Sequence, residues 1–298
     1  MILINSHSRA VGGAPVFNGL SQEELDRAYD QDAWAPDGLH IQTRILARSA
    51  EVARRTPPLS RRCGPGEKQV VDIFAPPAKI HDAPVFVMIH GGAWRLAMRE
   101  AFYGPAPAIV AAGCILAVVG FECLPAVSMV EMAAQIRRAL VWIGREIGEF
   151  GGNGRNLHLV GHSSGAHLAA AMMTTDWTES GLDPASLRGA TLISGLYDLY
   201  PVMLSARGRY VQLTAAEVAA LSPIRHLHRF AGSAFVAWGA NESPEFKRQS
   251  QVFADALAGM GRLGAAALAP DQNHFEMLEA LNDRDNPLTK AILAHALG

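Results

Sequence analysis

The sequence predicts an α/β fold, with a mostly parallel central sheet, helices on both faces and N-terminal helices ahead of the first strand. Three observations predict it. Short apolar, strand-like runs recur at 85–89, 115–119, 157–160, 190–193, 234–238 and 265–268. Helix-length stretches separate several of them, and strand–helix alternation implies parallel pairing with both sheet faces covered. The stretch 157–171, LHLVGHSSGAHLAAA, passes from a strand to a helix through a turn bounded by Gly161 and Gly165. That strand–turn–helix setting places Ser163 at the tip of a G-x-S-x-G nucleophile elbow.

Residues 5–19 are polar and glycine-rich, as expected of an arm or loose loop. Ser21 and Glu24 have capping-box spacing, so a helix starts there and runs to about Tyr29. A second helix is expected over 37–55, with Ile41, Ile45, Leu46 and Val52 roughly on one face, stopped by Thr56-Pro57-Pro58. This extension, about 20–60, either packs outside the fold or caps the catalytic face, and the cap is the more functional option. Cys63-Gly64-Pro65-Gly66 is a turn, and 69–74 is an early antiparallel strand ended by Pro76-Pro77. The stretch 131–150 is an amphipathic helix carrying Ile136, Leu140, Ile143 and Ile147 on one face. Further helices are expected at 244–259 and 275–297. The less regular 200–230 segment is a candidate cap insertion. With no repeat and no linker, the expectation is one domain over 1–298.

Apolar residues form 49% of the 298, enough for a sizeable core, and the net charge of −2 gives no electrostatic case for nucleic acid or an anionic membrane. Cys63, Cys114 and Cys123 have no metal spacing. An odd, sparse set of thiols suits a reducing compartment. No uninterrupted apolar run reaches membrane-spanning length, and the N-terminus lacks the basic lead-in of a signal peptide. The expectation is a soluble, cytoplasmic protein without metal or cofactor.

A serine nucleophile needs a base, an orienting acid and donors for the oxyanion, with the acid and base following the serine in the chain. His90-Gly91-Gly92-Ala93-Trp94 follows directly on the 85–89 strand. Its glycines let backbone N–H groups turn toward a substrate oxygen. The expected oxyanion donors are the N–H groups of Gly92, Ala93 and Ser164. His90 precedes the serine and is read as a loop brace. His274 lies between the last strand and the last helix, at the carboxyl edge of the sheet, and is the expected base. Glu242, just past the 234–238 strand, is the expected acid. Asp198, after the 190–193 strand, is its rival, because either strand end could reach the histidine. Asp271 is read as a turn residue. Trp94, Phe121 and Tyr197 are candidate walls of an aromatic substrate pocket.

HGGAW (90–94), GHSSGAHLAA (161–170), SGLYDL (194–199), ESPEF (242–246) with Gln249-Ser250, and NHFE (273–276) together resemble α/β-hydrolases of the kynurenine formamidase type. YDQDAW (29–34) and GPGEKQVVDIFAP (64–76) extend the resemblance to roughly 20–298. HGG-x-W together with SPEF is its specific part. The resemblance implies an α/β-hydrolase fold and hydrolysis of an aryl formamide such as N-formyl-kynurenine. It also implies an acid immediately before SPEF, which favours Glu242 over Asp198. Two departures stand out: Glu replaces the expected Asp, and Phe121 heads a segment that is tyrosine-led in relatives.

The expected partner is thus a small aromatic amide or ester, with a homodimer left open. A carboxylesterase or amidase acting on small acyl esters, aryl amides or carbamates would use the same residues. A catalytically silent binding protein of this fold is the reading from another class, and an intact serine, acid and histidine set argues against it.

Overall fold

The computed structural model describes residues 14–77, 80–178 and 180–298. Of the expected polar arm, residues 5–13 lie outside these. Helices α1 (Gln22–Ala28) and α2 (Gly38–Arg55) come first, then strands β1 (Leu59–Arg62), β2 (Val70–Phe74) and β3 (Ala83–Ile89). Next are α3 (Ala106–Ala111), β4 (Ile115–Val119), α4 (Met129–Glu146), β5 (Gly152–His162), α5 (Ser164–Met173) and β6 (Leu187–Ile193). Three short helices follow: α6 (Tyr200–Leu204), α7 (Gly208–Val211) and α8 (Ala215–Leu221). The order closes with β7 (Ser233–Gly239), α9 (Pro244–Gly259), β8 (Leu263–Ala269), α10 (His274–Glu279) and α11 (Pro287–Leu297). The chain has the α/β-hydrolase fold that its sequence predicts.

The eight strands form one sheet in the order β1-β2-β4-β3-β5-β6-β7-β8. The β1–β2 and β2–β4 pairs are antiparallel, and the remaining pairs are parallel. Side chains alternate across it, which sorts the core into two layers. Val85, Val87 and Ile89 pack with Ile136 and Leu140 of α4, Leu168 of α5 and Phe253 of α9. Phe86 and Met88 pack on the other face with Ile41 of α2, Ile109 of α3 and Ile292 of α11.

Several elements differ from expectation for identifiable reasons. β1 is exposed along its whole length, so its sequence LSRR carries no burial pattern, and only pairing with β2 makes it a strand. α3 has six residues and was not foreseen. The helix expected at 275–297 is broken. A tight turn at Ala280–Asn282 ends its first part, and Asn286 starts α11 by accepting from the Leu288 N–H at 2.9 Å. Pro287 then occupies the first turn, where a missing N–H costs nothing. On α2, Ile41, Ile45 and Val52 are buried, but Leu46 is 50% exposed. Neighbouring helical residues point about 100° apart, so Ile45 and Leu46 cannot both face the sheet. The irregular 200–230 segment contains α6, α7 and α8.

Topology fixes where chemistry can sit. β3 lies between β4 and β5, so the strand order reverses there, and crevices for ligands open at the carboxyl ends of such strands. Ile89 at the end of β3 pairs with Gly161 of β5, and His162 pairs with Ile193 at the end of β6. The loops after β3, β5, β6, β7 and β8 therefore leave the sheet along one rim.

Candidate active site

The elbow is built from close approach. A Cβ on Gly161 would lie 2.3 Å from the Gly165 carbonyl oxygen, and one on Gly165 would lie 2.1 Å from that of Ile89. Only glycine lets β5, α5 and β3 meet here. Between them Ser163 adopts φ 58°, ψ −126°, a strained conformation for a residue with a side chain. Its N–H donates to the Ile193 carbonyl at 2.9 Å, which ties the turn to β6.

The loop after β3 turns its backbone outward. Gly92, Ala93 and Trp94 all have positive φ, at 113°, 53° and 60°. A Cβ on Gly92 would lie 2.7 Å from the Leu96 carbonyl oxygen. The N–H groups of Gly92, Ala93 and Ser164 find no acceptor among the described residues. Such free donors at a cavity wall can take up negative charge on an oxygen. His90 braces the loop from behind. Its Nδ1–H donates to the Gly91 carbonyl at 2.9 Å, and its ring stacks on Phe121 at 4.0 Å. Burial pushes its pKa down to about 4, so it is neutral at pH 7.

Glu242 follows β7 and is fully buried. Its Oε1 accepts from the Gly239 N–H at 2.7 Å and the Ser194 hydroxyl at 2.6 Å. Its Oε2 accepts from His274 Nδ1–H at 3.0 Å. His274 opens α10 behind Asn273, which caps that helix by accepting from the N–H groups of Phe275 and Glu276. Phe246 packs edge-on against the His274 ring at 4.8 Å. His162 lies against the other side at 4.6 Å and donates through Nε2 to the His274 carbonyl at 2.8 Å. Burial first, then the neighbouring His274, holds the His162 pKa well below the usual range. With Nδ1 used on Glu242, Nε2 is the His274 nitrogen left for a substrate or hydroxyl.

Ser163, His274, Gly92 and Ala93 line one cavity of about 970 Å³. The geometry thus brings Ser163 and His274 to a shared space, with Glu242 behind the imidazole. Asp198 is engaged elsewhere: it accepts from the Tyr200 N–H at 3.1 Å and faces Arg225 at 3.6 Å. Among the described residues, no group of three or more His, Cys, Asp or Glu is placed to hold a metal ion.

The expected aromatic wall is corrected. Trp94, Phe121 and Tyr197 are buried in packing and do not line the cavity. Trp94 donates through its indole N–H to His167 Nδ1 at 3.1 Å, Phe121 backs His90, and Tyr197 stacks on Phe253 at 3.9 Å. The apolar wall instead includes Ile45, Leu46, Phe102, Tyr210 and Phe275. The N-terminal helices and the 206–210 segment, which runs into α7, therefore form walls of the cavity. The exposed Leu46 on an otherwise sheet-facing helix was the available signal for this. Phe102 and Tyr210 gave none, because nothing local distinguishes a cavity wall from core or surface.

The BD-FAE family model matches residues 71–192. The chain is 30% identical to the kynurenine formamidase of Danio rerio over 289 residues, covering 93% of this chain and 97% of that protein. It is 27% identical to Esterase LipQ of Mycobacterium tuberculosis over 293 residues, with 85% and 69% covered. Among solved structures, a candidate thioesterase from Silicibacter sp. tm1040 superposes with a TM-score of 0.79 at 25% identity, covering 92% of this chain and 99% of that one.

Proposed function

The chain belongs to the kynurenine formamidase family of α/β-hydrolases, and from that premise we propose that it hydrolyses an aryl formamide, such as N-formyl-kynurenine, through a formyl-enzyme on Ser163. The observation that carries this reading is the buried Glu242–His274 hydrogen bond at 3.0 Å behind a cavity that His274 shares with Ser163.

His274 Nε2 accepts the Ser163 proton as Oγ attacks the formyl carbon. The resulting oxyanion is received by the N–H groups of Gly92, Ala93 and Ser164, each donor typically supplying about 3 kcal/mol of transition-state stabilisation. Collapse breaks the C–N bond, and the departing arylamine takes the proton from His274. Water, deprotonated by His274, then attacks the formyl carbon; collapse breaks the bond to Ser163 Oγ, which takes the proton back from His274, and formate leaves. Glu242 holds the imidazole with Nδ1 protonated and balances the imidazolium that forms. Its two Oε1 donors fix the carboxylate, so the extra methylene relative to Asp does not leave it loose. The three free cysteines suit the cytoplasm.

A carboxylesterase acting on small acyl esters is the second reading, favoured by the likeness to LipQ. Turnover of N-formyl-kynurenine set against p-nitrophenyl acetate decides between them. Strong ester hydrolysis without formamide hydrolysis defeats the leading reading. Fluorophosphonate labelling that persists in Ser163→Ala defeats the nucleophile assignment.

A further inference from the structure

One buried side chain, outside the cavity lining, is bonded to both halves of the candidate active site. His167 lies one turn after Ser163 on α5, and its N–H donates to the Ser163 carbonyl at 3.2 Å. Its ring reaches the other way, to the loop after β3. The Trp94 indole N–H donates to His167 Nδ1 at 3.1 Å, with the two rings edge-on at 5.4 Å.

The tautomer follows from the partners. His167 Nε2 lies 2.8 Å from the Leu221 carbonyl, which can only accept. Nε2 therefore carries the proton, and Nδ1 offers a lone pair to the indole. Burial pushes the pKa of this imidazole down to about 4, so it is neutral at pH 7. Leu221 ends α8, where carbonyls lack helical partners, and the imidazole satisfies that one. The next residue is fixed in turn: the Ser222 hydroxyl accepts from the Leu199 N–H at 2.9 Å and donates to the Val218 carbonyl at 2.6 Å. The ring is thus held from behind as well as in front.

The loop after β3 needs an anchor of this kind. Ala93 and Trp94 are left-handed without being glycine, at φ 53° and 60°. Such conformations persist where the surroundings over-determine them. The backbone of Trp94 is tied by its N–H to Ser164 Oγ at 3.3 Å and by the Leu124 N–H to its carbonyl at 2.8 Å. The indole bond adds a directional tie that packing alone does not supply. Its reach sets it apart. The Trp177 and Trp34 indoles donate to backbone carbonyls five and seven residues away, whereas the Trp94 bond spans 73 residues to the helix of the nucleophile.

We propose that His167 is a positioning residue for the oxyanion hole: through the Trp94 indole it holds the Gly92 and Ala93 N–H groups in register with Ser163 Oγ. The role rests on the hydrolase reading of the site and adds how its two halves are kept aligned. A shift of about 1 Å between them would cost about 100-fold in rate.

Two amide substitutions separate the two bonds of the ring. Asn places its Oδ1 where histidine has Nδ1, and Gln places its amide nitrogen where histidine has Nε2. His167→Asn therefore keeps the acceptor for Trp94 and loses the donor to Leu221, and His167→Gln does the reverse. Both are read on p-nitrophenyl acetate and against a trifluoromethyl ketone, whose carbonyl carbon takes Ser163 Oγ and leaves a stable oxyanion. His167→Gln is expected to lower kcat about 100-fold with KM within about twofold, and to weaken the ketone by a similar factor. His167→Asn is expected to keep both within about fivefold. A merely structural role would shrink the folded fraction, lowering kcat while leaving the ketone's inhibition constant unchanged. Trp94→Phe, which removes the donor, is expected to reproduce the Gln loss, and the double variant to be no slower than either single one.

The native protein gives a test that needs no variant: ¹⁵N NMR of the imidazole is expected to show Nε2 protonated and Nδ1 accepting. An Nδ1-protonated His167, equal kcat in the Asn and Gln variants, or an unchanged ketone constant beside a fallen kcat overturns the positioning role. Ester turnover by the native enzyme without N-formyl-kynurenine turnover overturns only the formamidase reading, and the ranking on the ester still decides the role of His167. A native protein inert to ester, formamide and ketone overturns the hydrolase reading and the positioning role together.

Discussion

Ser194 donates its hydroxyl to Glu242 Oε1 at 2.6 Å from the exit of β6, where its own backbone is left-handed at φ 54°. With the Gly239 N–H on the same oxygen, it turns the carboxylate so that Oε2 alone meets His274. Ser194 is thus a positioning residue. Ser194→Ala removes one hydrogen bond to a charged group, so kcat is expected to fall about tenfold with KM nearly unchanged. Glu242→Gln, which also disturbs the imidazole tautomer, is expected to cost about a thousandfold or more. Steady-state kinetics of the two variants checks the ranking, and equal losses would contradict it.

The elbow makes a stability prediction that separates two kinds of glycine. An added Cβ at Gly161 would meet the Gly165 backbone at 2.3 Å, and neither strand nor helix can move aside. Gly161→Ala is expected to destabilise the protein by about 3 kcal/mol or more and to abolish activity in whatever folds. Gly259, at the end of α9, has nothing within 4 Å of the same position. Gly259→Ala is expected to stabilise by about 0.5–1 kcal/mol through helix propensity. Urea melts of both variants read the contrast, and similar midpoints would refute it.

That Ser163, Glu242 and His274 come together at one rim was legible in the sequence, because each sits just past a strand and strand ends in a parallel sheet share a rim. The choice of Glu242 over Asp198 was not settled by local pattern. It turns on partners: Asp198 is engaged by Arg225 and the Tyr200 N–H, while Glu242 is enclosed by Ser194, Gly239 and His274. The cavity walls were illegible for a different reason. An aromatic residue beside a catalytic motif is as readily packing as wall, and Trp94, Phe121 and Tyr197 are packing. Much of the wall comes from α2 and the 206–210 segment, whose placement over the rim is a tertiary fact without a local signature.

A buried phenol ties the N-terminal extension to α9. Tyr29 donates its hydroxyl to Glu245 Oε2 at 2.9 Å and accepts from Gln249 Nε2 at 2.9 Å, all three groups being buried. Tyr29→Phe leaves one of the two Gln249 Nε2–H groups unpaired, the other still donating to the Asp198 carbonyl at 3.1 Å, and removes one bond from the Glu245 carboxylate, which keeps its pair with Arg248 at 2.6 Å. A loss of about 1–3 kcal/mol is expected. Because α1 and the following turn help wall the cavity, KM should rise with it. A stability loss with unchanged KM would show that the wall holds without this tie.

Four buried histidines give the protein a steep acid edge. Burial pushes His90, His158 and His167 down to pKa values of about 4, about 3 and about 4, and His162 well below its usual value. In the unfolded chain each titrates near 6.5. Between the two values the unfolded state carries protons that the folded state refuses, so acid favours unfolding. Stability from these groups is full above pH 6.5 and is lost as the pH falls from there toward 4, each histidine contributing a slope of up to about 1.4 kcal/mol per pH unit. Lowering the pH from 7.5 to 5 is expected to reduce Tm by about 10 °C or more for a chain of this size. His158, whose Nε2 pairs with the Thr191 hydroxyl at 3.0 Å, is remote from the cavity wall. His158→Gln should therefore remove one proton from the slope whatever it does to the absolute stability. Denaturant titrations across pH 5–7 measure that slope. A free energy of unfolding that stays level over this window would mean these imidazoles take up protons in the folded state.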